Sequence, residues 1–148
     1  MRSNTMATTT ISANSSQKTL IQSQINAKQL QISDWEFKKN NLNNKVQRYN
    51  EVLSRLIYLE PGFSLRRGTF SEIAIKESEW KGVIAREMFA RKDYIAEKMG
   101  SISYSISLTI ERLQEEKAVA EQQIGIINSE ISGLNTSILN LKYTLSQL

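Results

Sequence analysis

A run of seam positions in the last third of the chain, all but Lys117 apolar, never misses a step, and it limits the folds available more than any other feature. Ile106, Ile110, Leu113, Lys117, Ala120, Ile124, Ile127, Ile131, Leu134, Ile138, Leu141, Leu145 and Leu148 recur at alternating four- and three-residue intervals over six heptads. Three or four such repeats already specify a helix that packs along one seam against another helix. A second stripe in the first half has the same step: Ile21, Ile25, Ile32, Trp35, Leu42, Val46, Tyr49, Leu53 and Leu56, with Lys28 and Lys39 in the two open places. Lysine there can lay its methylenes along the groove and carry its ammonium group to water.

Pro61 and Gly62 stop the first stripe, because proline lacks a backbone donor and restricts the residue before it. Thr69 and Glu72 have capping-box spacing, so a short helical piece is expected over 70–79. Between Gly82 and Ile106 the apolar stripe is read as Ile84, Met88, Ile95, Met99 and Ile102, which joins Ile106 only through extra four-residue steps. That stutter, beside "MGSISYS", predicts a bend or local unwinding near Gly100. With a first arm from about Ser15, about 65 residues lie on each side of Trp80–Gly82. Folding the chain there pairs positions whose numbers add to about 162, such as Trp35 with Ile127 and Leu56 with Ile106.

The fold expected is therefore all-α: an elongated, coiled-coil-like antiparallel helical hairpin with an interrupted first arm. Residues 1–14 form a flexible polar tail; the hairpin domain covers 15–148. Its first arm is 15–59 and 70–79, its turn 80–82 and its second arm 83–148. A 60-residue helix is roughly 90 Å long. Two helices bury only one stripe each, so the exposed Leu20, Leu30, Phe37, Val52, Leu59, Tyr104, Leu108 and Leu139 call for further helices from a partner.

Composition removes most enzyme chemistry. With no Cys and no His, the chain lacks thiolate nucleophiles, disulfides, the usual structural zinc sites and the commonest general base. The carboxylate pairs Glu77 with Glu79 and Glu115 with Glu116 read as solvated face charges, since helix neighbours diverge by about 100°. "RRG" at 66–68 lacks the further glycines, lysine and strand context of a phosphate loop. No enzyme activity, cofactor or metal site is expected.

No stretch reaches ~18 apolar residues, so no membrane span is expected. The N-terminal "MRSNTMATTTISANSS" has no apolar core of a secretory signal. Lys and Arg outnumber Asp and Glu by 16 to 10 over residues 1–100, against 3 to 5 over 101–148. Lys38, Lys39, Lys45 and Arg48 are the densest basic group, but without interleaved aromatics or a known motif they do not indicate nucleic-acid binding. An acidic partner domain or the hairpin's own second arm is the better counterpart.

The stretch "SEWKGVIAREMFARKD" at 78–93 carries a resemblance. Trp80, Gly82, Ala85 and then Met88 or Phe89, ahead of a heptad-rich second helix, resemble the WXG proteins of Gram-positive type VII secretion. Against the familiar spacing, Ala85 and Phe89 each fall one residue late and Met88 takes the usual aromatic place. The long arms and regular Ile/Leu-rich second arm are more similar to the small helical partner proteins of LXG toxins. That resemblance implies a non-enzymatic adaptor or targeting chaperone. Its partners would be the helical N-terminal domain of a secreted toxin, with or without a second small helical protein, and the secretion machinery. It also implies a cytoplasmic protein before export, leaving with the toxin, if it leaves, by a route that reads no cleavable signal.

Trp80, Gly82, Met88, Phe89 and Asp93 are the candidate partner-binding and targeting residues. Gly82 can adopt a backbone conformation closed to other residues and reverse the chain. Trp80 offers a flat surface with one donor, either to a partner or to the hairpin's own end. Phe89 and Asp93 are one turn apart on one helix face, and similar aromatic-x-x-x-acid pairs act as export signals in WXG systems. The alternative function is a coiled-coil structural or tethering protein, a homo-oligomeric scaffold of the kind found in phage or appendages.

Overall fold

The computed structural model describes the backbone of residues 3–73 and 82–148, with side chains from Thr10 onward. Two helices, α1 (Ser3–Ser71) and α2 (Val83–Ser146), pack against one another as an all-α helical hairpin. Trp80 lies outside the described residues, with the rest of the stretch 74–81.

The hairpin divides into two compact units, one formed by Met1–Asn44 with Ala120–Leu148 and the other by Lys45–Val119. In the first, Ile21, Ile25 and Ile138 form a buried cluster, with Ile32, Leu141, Leu145 and Leu148 packed against it. Ala120 and Ile127 are buried as well. Each fully buried Ile contributes about 1.5–3 kcal/mol. Trp35 lines one groove with Ile127, and Ile25 shares a buried cluster with Ile138, so these pairs meet as the heptad arithmetic predicts. The backbone is helical from Ser3, where the sequence suggested a tail up to residue 14. Ser and Thr are poor rather than forbidden helix residues, and their hydroxyls bond back into the helix, as Thr19 Oγ1 does to the Ser15 carbonyl at 3.0 Å.

In the second unit the apolar register departs from expectation in two places. First, α1 passes through Pro61 and Gly62 without a break and ends only at Ser71. Pro61 is exposed, so water can take up the backbone carbonyl that the missing donor leaves unpaired. Leu53 is buried before it and Leu56, Phe63 and Phe70 are half-buried around it, which holds the helix together across the defect. Thr69 is therefore not an N-cap: its hydroxyl donates to the Leu65 carbonyl at 3.1 Å inside α1.

Second, the stripe Ile84, Met88, Ile95 and Ile102 is exposed. The seam instead runs through Ala85, Phe89, Lys92, Ala96, Met99 and Ser103 to Ile106, each buried or half-buried. These steps alternate four and three without a stutter, so continuity of packing outweighs side-chain size at individual positions. α2 is accordingly unbroken at Gly100. A methyl group there would come within 3.3 Å of Arg67 Nη2, so this glycine gives room to an arginine of α1.

Candidate partner-binding surface

The functional candidates cluster where α2 begins. Gly82 has φ +77°, the only positive value among the described residues, in the left-handed region that costs a side chain-bearing residue about 1 kcal/mol or more. Its carbonyl accepts the first bond of α2 from Arg86 N at 3.4 Å. The opposing end of α1 is closed by Glu72 N to the Gly68 carbonyl and Ser71 Oγ to the same oxygen at 2.7 Å. Lys92 Nζ reaches across from α2 to the carbonyls of Ser71 and Ile73.

Writing the seam positions of each heptad as a and d, Phe89 is an a residue, Met88 a g residue and Asp93 an e residue. Phe89 is half-buried in the seam, whereas the stripe read from sequence runs through Ile84 and Met88 and passes it by. Met88 and Asp93 are both exposed but lie five residues apart, about 140° around the helix, on opposite flanks. The structure thus keeps Phe89 and Asp93 one turn apart and places Met88 on the other side.

The grooves establish which flanks face together. Lys38, Asn41, Gln123 and Ile126, all g or c residues, line one groove beside Trp35. Gln29, Asn135, Leu139 and Lys142, all e or b residues, line another. So in the first unit g and c positions of both arms share one side, and e and b positions the other. In the first unit both flanks are mainly polar: Gln24, Gln31, Lys38, Gln123, Glu130 and Ser137 at g, and Gln22, Gln29, Glu36, Asn128, Asn135 and Lys142 at e.

The second unit differs. Its g positions include Val52 and Leu59 on α1 with Met88, Ile95 and Ile102 on α2. Met88 is 38% and Leu59 57% exposed, and the other three lie between. A groove containing Leu56, Ile102, Ile106 and Thr109 runs along this flank. Among the described residues no helix is long and apolar enough to cross a membrane, and no group of three potential metal ligands occurs.

No family model, curated protein or solved structure matches the chain.

The basic group around residue 40 is partly used within the protein. Lys38 Nζ sits 4.6 Å from the Trp35 ring centroid and Lys39 Nζ 3.5 Å from Glu36 Oε2. The apolar flank of the second unit is the surface that sequence reasoning missed. Extending the alternating steps backward from Ile106 would have found it, because that extension puts Ile102, Ile95 and Met88 at g.

Proposed function

We propose that the chain is a non-enzymatic adaptor that binds the helical N-terminal domain of an LXG-type toxin and accompanies it to the type VII secretion machinery. The observation that carries this reading is the open apolar flank of Val52, Leu59, Met88, Ile95 and Ile102. Apolar side chains at g positions beside a filled seam are what a hairpin needs to accept further helices and complete a bundle. The Trp-x-Gly at 80–82 and the left-handed Gly82 at the start of α2 supply the type VII resemblance. The exposed Asp93, one turn beyond Phe89, is the candidate targeting carboxylate.

The test is to mix the full chain with the helical N-terminal domain of an LXG-type toxin and to measure mass by light scattering during size-exclusion chromatography. A 1:1 complex is expected, together with loss of toxin export when this protein is absent. A stable homodimer that ignores the toxin domain would instead favour a coiled-coil scaffold.

A further inference from the structure

Charge is distributed in the second unit as unevenly as apolar surface. Arg48 and Arg55 on α1, and Arg91, Lys98 and Arg112 on α2, occupy c positions; Arg66 occupies a g position. All six are exposed and all border the apolar flank. The acids go elsewhere: Glu51, Glu87 and Glu115 fall at f, facing away from the seam, while Asp93, Glu97 and Glu111 fall at e or b on the opposite flank. Glu116 at g and Glu60 on the seam are the exceptions among the acids, and Arg86 stands at e on the opposite flank.

We infer that this flank of the second unit is a docking surface for an acidic amphipathic helix, whose apolar stripe would cover Val52, Leu59, Met88, Ile95 and Ile102 and whose flanking carboxylates would meet the arginines. The inference deepens the adaptor reading, and rests on it for the claim that a helical protein is the natural occupant. A second copy of the chain fits poorly. A two-fold contact through this flank would set arginine rows against each other, and like charges across an interface disfavour association. An anionic bilayer shares the charge preference, but Ile102 opens onto a groove that it lines with Leu56 of one helix and Ile106 of the other. Membrane-surface helices instead present Trp, Phe or Leu outward from one face. A helix laid into a groove is the better geometrical match.

The probe is a synthetic acidic peptide of about four heptads, long enough to hold a helix, with Leu at its seam positions and Glu beside them. It is titrated against the full chain by fluorescence anisotropy, alongside a peptide with Lys in place of each Glu. The acidic peptide should bind and the basic one should not. The triple variant Arg55→Glu, Arg91→Glu, Arg112→Glu should weaken binding about tenfold or more, as should Ile95→Ser with Ile102→Ser, both with helical content checked by circular dichroism. Glu97→Lys with Glu111→Lys on the opposite flank should leave it unchanged.

Equal binding of both peptides, no binding of either, or binding to phosphatidylglycerol vesicles without binding to the acidic peptide overturns the proposal. So does a homodimer that the Ile95 and Ile102 substitutions dissociate. If the toxin domain binds the chain but the flank variants bind it normally, the docking surface is withdrawn and the adaptor reading stands. If the acidic peptide binds through the flank while the toxin domain does not bind, the adaptor reading alone falls.

Discussion

Lys92, a seam residue of α2, donates from Nζ to the backbone carbonyl of Ser71, the last residue of α1, at 3.5 Å, and also to the carbonyl of Ile73. The last carbonyls of a helix have no partner within it and carry the negative end of its dipole. A cation from the opposing arm answers both needs. It also fixes where the first arm ends relative to the second.

Replacing Lys92 by Met keeps the hydrophobic stem and removes the charge. The expected loss is about 1 kcal/mol, small because the bond is solvent-exposed. Hydrogen exchange should accelerate at residues 69–73 while the rest of the hairpin keeps its protection. Unchanged exchange there would mean that Lys92 does not close the end of α1.

Lys28 and Lys39 sit half-buried in the seam. Lys39 pairs with the half-buried Glu36, an interaction near the surface that typically contributes under ~1 kcal/mol. Leu at both positions adds apolar burial of roughly 1–2 kcal/mol each, so the melting temperature of the isolated protein should rise by several degrees. A lower melting temperature would mean that these positions do not face the other arm.

Pro61 lies inside α1 and is exposed, so Pro61→Ala should restore a backbone hydrogen bond without disturbing packing. Stabilisation of up to about 3 kcal/mol is expected from relief of the interior proline. If thermal melting shows no gain, the chain is not helical through this position.

Met88 and Phe89 are neighbours with opposite expected behaviour. Phe89→Ala removes a half-buried seam ring and should cost roughly 2 kcal/mol in urea unfolding of the protein alone. Met88→Ala should change that stability by less than about 0.5 kcal/mol while weakening association with a helical partner. Equal destabilisation by both would contradict the heptad assignment of α2.

The seam over 21–56 and 106–148 was legible because nearly every a and d position there is Ile, Leu, Val or an aromatic. It was not legible over 83–105, where Ala85, Lys92, Ala96 and Ser103 hold the seam and the larger Ile84, Met88, Ile95 and Ile102 stand beside it. Apolarity alone picks out the larger residues. The structure follows the unbroken alternation of four and three, since a shift of register would cost every contact downstream. Pro61 was read as a stop for a similar reason: its local penalty is evident in sequence, whereas the offsetting burial of Leu53, Phe63 and Phe70 depends on the second arm. Of the site candidates, the left-handed Gly82 could be anticipated from residue type. The half-burial of Phe89 could not be read from residue type, because it follows only from carrying the alternation of four and three back from Ile106.

The most direct measurement of the adaptor account is hydrogen exchange by mass spectrometry on the full chain, alone and with the helical N-terminal domain of an LXG-type toxin. Protection gained on binding should concentrate over residues 48–62 and 84–105, which carry Val52, Leu59, Met88, Ile95 and Ile102, with little change over 15–44 and 120–148. Absence of a complex, or protection confined to 15–44 and 120–148, would contradict it.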